Sequence, residues 1–337
     1  MSQIYFDDAG DLSVLEGKVL SIIGYGNQGS AQAHNFRDSG ISVVVGNARD
    51  ASFEAAARDG FPTYEVAEAV QKADIHFLLL PDEVMPAVFA SAVRPHLKDG
   101  QAVVVASGYN VTYGFIRVPD TIDLLMIAPR MIGTGVRNGY VEGRGFPSLV
   151  SVEHDASGKA QERLLALAKG VGTLKGGAVA SNCDEETLCD LFNEHFGYVY
   201  ALRRAYELLV EAGASPEAAL LEFWASGEEM ELARVHVTHG LFHQLGLHSQ
   251  VSQYGQEVTS RLSVEDEERE RNRLRQIIAR IKDGSFAREW ALEQQAGLPV
   301  WRRVRHENYA HPMIKEEERL LSAMGVLERP VGAPFEV

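Results

Sequence analysis

The chain reads as an α/β Rossmann-type N-terminal domain followed by an all-α C-terminal domain, and three observations predict this. The apolar run at residues 19–23 breaks directly into Gly24-x-Gly26-x-x-Gly29, and residues 30–38 then carry helical periodicity. Further short aliphatic runs alternate with helical patterns as far as residue 152, the mark of a doubly wound parallel sheet. From about Asp184 onward only helical periodicity remains.

Each element follows from its residues. Residues 41–45, 76–80, 101–106, 124–128 and 148–152 are buried-strand runs, and residues 52–59 form a helix between the second and third strands. Ligands of such sheets sit beyond the carboxyl ends of the strands, so residues 24–29, 47–52, 81–84, 107–110 and 129–137 are expected around one cleft. In the first turn Gly24 permits a tight bend, Gly26 admits a pyrophosphate, and Gly29 lets helix and strand pack closely. With Tyr25, Asn27 and Gln28 they form a cradle whose helix N-terminus faces the phosphates. Pro81, Asp82 and Ser107 are expected to complete the dinucleotide site. Arg49 and Ser52 suit a 2′-phosphate, whereas Asp50 suits a bare ribose, so NADPH is expected with NADH left open.

In the second half, residues 185–212, 215–232, 238–250, 264–283 and 286–296 are expected helices. Gly213 and Gly284 mark helix ends, and Ser215-Pro216 reads as a cap with a first-turn proline. The expected domains are residues 1–182 for the dinucleotide and 183–329 for substrate, metal and dimerisation, with 330–337 as a loose tail. A net charge of −15 without a basic tract excludes nucleic acid and anionic membrane as general partners. Two cysteines six residues apart form neither a disulfide framework nor a zinc motif, and a polar N-terminus shows no signal peptide. A cytoplasmic protein is expected.

Several segments together resemble the ketol-acid reductoisomerases, in the short, bacterial-type class. They are Gly24-Tyr-Gly-Asn-Gln-Gly29, Arg37-Asp-Ser-Gly40, Leu79-Leu-Pro-Asp-Glu-Val84 and Tyr140-Val-Glu-Gly-Arg-Gly145. They continue with Glu185-Glu-Thr187, Asp190-Leu-Phe-x-Glu194, Glu211-Ala-Gly213, Tyr254-Gly255, Phe286-Ala-x-Glu-Trp290 and Gln295-Ala-Gly297. The resemblance implies an alkyl shift in a 2-hydroxy-2-alkyl-3-keto acid, then reduction by NADPH, with two magnesium ions as Lewis acids. It implies that Asp190 and Glu194, one helical turn apart, hold the first ion, and that Ser249 holds the substrate carboxylate. It also implies a homodimer whose site a second chain completes.

The chain departs from that family at the isomerisation machinery. Where the family has two glutamates a turn apart, one alignment keeps Glu222 and puts Ser226 second, and the other keeps Glu228 and puts Trp224 first. One magnesium site is therefore expected, without an intact second. The family's Ala-His-Gly-Phe-Asn reads Ala106-Ser107-Gly108-Tyr109-Asn110, and a lysine position holds Arg130, a fork of fixed charge. His236, His239 and His243 recur along one helical face and read as surface or interface histidines, and His195 beside Glu194 is a weaker candidate proton donor. The expectation is a reductase of a C=O or C=N in a small 2-oxo or related carboxylate, without alkyl migration. Asp190, Glu194, Arg130 and Ser249 would carry it. An authentic ketol-acid reductoisomerase and a non-catalytic dinucleotide-binding protein remain the alternatives.

Overall fold

The structure, a computed structural model, describes residues 2–327, so the tail at 330–337 and the end of the second expected domain lie outside the described residues. The chain divides into two compact units, Met1–Leu191 and Phe192–Val337. The division falls inside the helix Cys183–His195, later than the break at residue 183 that composition suggests.

The first unit is built on a nine-stranded sheet. Its strands are β1 (Ile4–Tyr5), β2 (Val19–Ile23), β3 (Ser42–Gly46), β4 (Thr63–Tyr64), β5 (Ile75–Leu78), β6 (Ala102–Val105), β7 (Asp123–Pro129), β8 (Ser148–His154) and β9 (Ala178–Ala180). The spatial order is β1-β9-β8-β7-β6-β5-β2-β3-β4. Strands β2 to β7 pair in parallel, as the aliphatic runs of β2, β3, β5, β6 and β7 predict. The sheet as a whole is nonetheless mixed, which corrects the all-parallel expectation. β8 runs antiparallel to β7, with Ser148 opposite Pro129, and β1 runs antiparallel to β9. The connection after β7 returns to the end of the sheet it left, so β8 can only run back down. The two- and three-residue strands β1, β4 and β9 are too short to show a period.

Alternation along the strands sends side chains to two apolar layers. Leu20, Ile22, Val104, Leu125 and Ile127 join Phe36 and Phe77 on one face. Ile23, Val103, Val105, Leu124 and Met126 join Leu78 and Phe89 on the other. Helices cover both faces, which is why these strands read as unbroken aliphatic runs.

The second unit is helical throughout its described residues, but its helices are more broken than periodicity suggests. The span 185–212 divides into Cys183–His195 and Tyr198–Glu211, because Gly197 takes φ +93° between them. The span 215–232 divides into Pro216–Leu220, a π-helical turn Leu221–Ala225, and a new helix Glu228–His239 opened by Gly227 at φ +78°. The expected helix 238–250 is a 3₁₀ turn, His243–Leu247, followed by Gln250–Tyr254. His243 therefore lies beyond Gly240 and off the helix of His236 and His239, so the three-histidine face does not form. Val264–Lys282 and Ser285–Gln295 lie where expected, and two unforeseen helices, Pro299–Tyr309 and Pro312–Ala323, follow. A small core of Tyr206, Ala219 and Leu220 packs against Phe223, Trp224, Met313 and Leu320. Among the described residues no helix is long and apolar enough to cross a membrane.

Candidate functional site

Beyond the carboxyl end of β2 the chain turns at Gly24, whose φ is +97° and whose added Cβ would meet the Leu79 carbonyl oxygen at 2.6 Å. A Cβ on Gly29 would meet the Gly24 oxygen at 2.0 Å, so the helix Asn27–Asp38 can start here only on glycine. Gly26 differs, since a Cβ there meets nothing within 4 Å. It caps the helix with no side-chain hydrogen bond, which leaves room and free N–H groups for a pyrophosphate. This cradle fits a dinucleotide.

The side chains of that turn brace it. Gln28 Nε2 donates to the Met131 carbonyl at 2.8 Å, and Asn27 packs against Gly133. Tyr25 is buried against Phe61 and His34, and its hydroxyl donates to Asp59 at 2.7 Å, which with burial raises its pKa. Its phenol therefore serves the core, and only its backbone belongs to the turn. Tyr25 N donates to Asn47 Oδ1 at 3.2 Å, and Asn47 Nδ2 donates to Asp50 Oδ1 at 2.8 Å, linking the turns after β2 and β3. Asp50 caps the helix Ala51–Arg58 by accepting from the N–H groups of Ser52 and Phe53. Arg49 donates through Nε to Glu65 at 2.7 Å.

A second cluster lies beyond β5, β6 and β7. Arg130, next after β7, donates through Nη2 to Glu186 at 2.6 Å and through Nη1 to Asp190 at 2.8 Å. Glu186 is fully buried and accepts from Gly108 N at 2.7 Å with its other oxygen. Burial pushes the Glu186 carboxyl up, while the Gly108 N–H and the Arg130 guanidinium oppose that rise. Asp82, after β5, accepts from Asn110 Nδ2 at 2.9 Å. Burial, reinforced by the charges of Glu186, Glu83 and Asp190, pushes Asp82 up to about 7. Ser107 Oγ accepts from Tyr109 N at 3.3 Å. Arg130 Nε, Tyr109 Oη and Asn110 Oδ1 are buried without a hydrogen-bond partner among the described residues. Such unmet polar atoms are ones a bound polar molecule can satisfy.

The first unit places Arg130 on Asp190 and on Glu186, with Asp82 and the Ser107–Gly108 turn beside them, and Glu186 is a residue that sequence reasoning left unassigned. The signal was present, because Glu186, Asp190 and Glu194 recur every four residues on one helix. In the second unit, Glu222 lies in the π-helical turn and Glu228 opens the next helix, with Gly227 between them. Ser249 caps the helix Gln250–Tyr254, its Oγ accepting from Ser252 N. His195 packs edge-on against Phe286 at 4.4 Å, and burial lowers its pKa.

Asp190 and Glu194 lie one turn apart on the helix Cys183–His195, the spacing of a carboxylate pair that suits magnesium. Glu222 and Glu228 lie on different elements with Gly227 between them, and among the described residues no group of three or more acidic, histidine or cysteine side chains is poised for an ion.

A mixed sheet with a parallel central run, a glycine cradle and a charged cluster beyond its strand ends suit a nicotinamide-dependent oxidoreductase. Comparison with known proteins narrows this. The acetohydroxy acid isomeroreductase NADPH-binding domain matches residues 14–177, and the ketol-acid reductoisomerase C-terminal domain matches residues 183–326. "Putative ketol-acid reductoisomerase 3" of Saccharolobus solfataricus is 44% identical over 319 residues, 92% of this chain and 94% of that protein. A ketol-acid reductoisomerase (NADP(+)) of Pyrobaculum aerophilum is 39% identical over 325 residues, 95% of this chain and 98% of that protein. The structure of an NADH-preferring ketol-acid reductoisomerase from an uncultured archean superposes with a TM-score of 0.87 at 32% identity, covering 97% of this chain and all of that one. The chain belongs to the ketol-acid reductoisomerase family.

Proposed function

We propose that this protein reduces the C=O of a small 2-oxo or related carboxylate with a nicotinamide cofactor and does not catalyse alkyl migration. The observation that carries this reading is the bidentate grip of Arg130 on Glu186 and Asp190. A guanidinium cannot deprotonate and holds its fork in one plane. It therefore leaves Asp190 one oxygen fewer for metal, and Asp190 is the residue a two-ion clamp would share.

Reduction asks for less. When bound, the nicotinamide supplies the hydride, and a single magnesium ion on Asp190 and Glu194 would polarise the carbonyl. Arg130 stabilises the negative charge that develops on the substrate oxygen. Asp82, whose pKa burial raises to about 7, is the proposed group to return a proton. Ser107 cannot do so as an imidazole would. Ser249 is the proposed holder of the substrate carboxylate, and a homodimer is the proposed assembly that completes the site.

The competing reading, an authentic ketol-acid reductoisomerase, is favoured by the 39% identity to a relative of that name. The test uses 2-acetolactate labelled with ¹³C in its migrating methyl group, incubated with NADPH and magnesium, with products read by NMR. An unmoved label supports the proposal, and label appearing on the neighbouring carbon refutes it.

A further inference from the structure

We propose that the second unit carries a binding site for a carboxylate with a bulky apolar body, in a cavity walled by Trp224 and Trp301 and headed by Arg305. The inference concerns the helical unit alone and stands whichever reaction the chain catalyses.

The cavity lies among the helix Tyr198–Glu211, the π-helical turn Leu221–Ala225 and the helices Pro299–Tyr309 and Pro312–Ala323. Its volume is about 700 Å³, inside the range of roughly 300–1,000 Å³ typical of small-molecule sites. Leu202, Trp224, Trp301, Met313 and Ile314 form its apolar wall, and each is half-buried rather than buried. Trp224 and Met313 also pack on the unit's own core, so the wall is anchored. Trp224 stands where one alignment with the family places a glutamate, and its indole Nε1 instead donates to Glu317 at 2.6 Å. The open apolar side chains between residues 237 and 251 lie on other elements, and none of them lines this cavity.

The charged groups of the lining point to the kind of ligand. Arg203 donates to Glu207 at 2.8 Å and to Asn308 at 3.1 Å, and His311 meets the same Glu207 at 3.0 Å. Glu317, the one carboxylate of the lining, accepts from Trp224. Arg305 is different. Its guanidinium lies over the rings of Trp301 and Tyr309, at 5.1 Å from each centroid, and its Nη2 reaches Tyr309 Oη only at 3.5 Å. Among the described residues no carboxylate pairs with it. Stacking engages the faces of a guanidinium and leaves its N–H donors directed outward in the plane. A fork held in this way suits an anion that brings two oxygens, and a carboxylate does so. The lining thus carries two arginines against one carboxylate in a chain of net charge −15, so the cavity favours an anion where the molecule as a whole does not.

Two of the three tryptophans line the cavity, so intrinsic fluorescence reports its filling. The full-length protein is titrated with decanoate, octanoate and octanol, and calorimetry gives the stoichiometry. Decanoate is expected to bind once per chain and roughly tenfold more tightly than octanoate, the effect of two further buried methylenes. Octanoate should bind about tenfold more tightly than octanol, through the charge-assisted contact to Arg305. Arg305→Gln should weaken both carboxylates about tenfold and leave octanol unchanged. Ile314→Trp should fill the cavity and abolish binding of all three, with an unchanged sedimentation coefficient, and Arg305→Gln decides the matter if that variant unfolds. Failure of decanoate to saturate the protein below about 1 mM would overturn the proposal. Equal affinity for octanoate and octanol would do so too, as would carboxylate binding untouched by Arg305→Gln. A folded Ile314→Trp protein with an altered sedimentation coefficient would also overturn it, because the cavity would then hold part of a second copy of the chain.

Discussion

The two units of this chain differ in how completely each buries what its sequence asks to bury. The first closes both faces of its sheet, so that Leu20, Ile22, Val104 and Leu125 are fully inside. The second leaves Val237 88%, Val251 79% and Phe242 74% exposed, with Leu241 and Leu247 also open. Helices with apolar side chains on more than one side need a further surface, and an obligate interface resembles a domain core cut in half. The dinucleotide cradle therefore sits in a unit complete by itself, while the acidic residues proposed for metal lie in or next to one that is incomplete alone.

The largest effect that would break this contrast concerns assembly. The protein is expected to sediment as a dimer at micromolar concentration, and Phe242→Glu with Val251→Glu to yield a monomer without activity. A wild-type monomer would mean that the open apolar side chains have no partner surface.

Next comes a pair of glycines within the complete unit. Gly29→Ala drives a Cβ into the Gly24 carbonyl and should cost about 3 kcal/mol or more of stability, read by urea unfolding. Gly26→Val enters open space, so its melting temperature should hold while dinucleotide binding falls by about 10² or more. Equal destabilisation by the two would remove the distinction between a packing glycine and a ligand glycine.

A smaller effect is electrostatic. Asp82 has a folded pKa of about 7 against an ordinary 3.8, so the native state binds its proton more tightly than the unfolded chain does. Its contribution therefore favours folding at acid pH and is lost as pH rises from about 4 to about 7. Asp82→Asn should raise the melting temperature at pH 7.5 by a few degrees and change it little at pH 4, as scanning calorimetry would show. A variant equally stabilised at both values would mean that Asp82 is not strained by ionisation.

Much of the first unit was legible because buried parallel strands carry an uninterrupted aliphatic signal, and β2, β3 and β6 fall within one residue at each end of where their runs lie. The direction of β8 was not legible, since a strand's run says nothing of where its connection returns. In the second unit helical periodicity survived, but Gly197 and Gly227 divide what looks like continuous helix, and a period cannot show a left-handed residue. The last two helices carried a readable mark, a proline at the first position of each, at Pro299 and Pro312. In the site, Asp190 and Arg130 were visible as departures or matches at single positions. Their mutual grip, and Glu186 beneath it, were not, because ion pairing between residues sixty and fifty-six apart depends on the fold.

The central claim is that this chain keeps reduction and lacks migration. Its most direct measurement is the ratio of kcat/KM for 2-acetolactate to that for the already rearranged 2-keto-3-hydroxy acid, with NADH or NADPH and magnesium held constant. The account predicts a ratio of about 10⁻² or below, the scale of losing one stabilising group for a developing oxyanion. A ratio near one, with acetolactate turned over as readily as the rearranged acid, would contradict it.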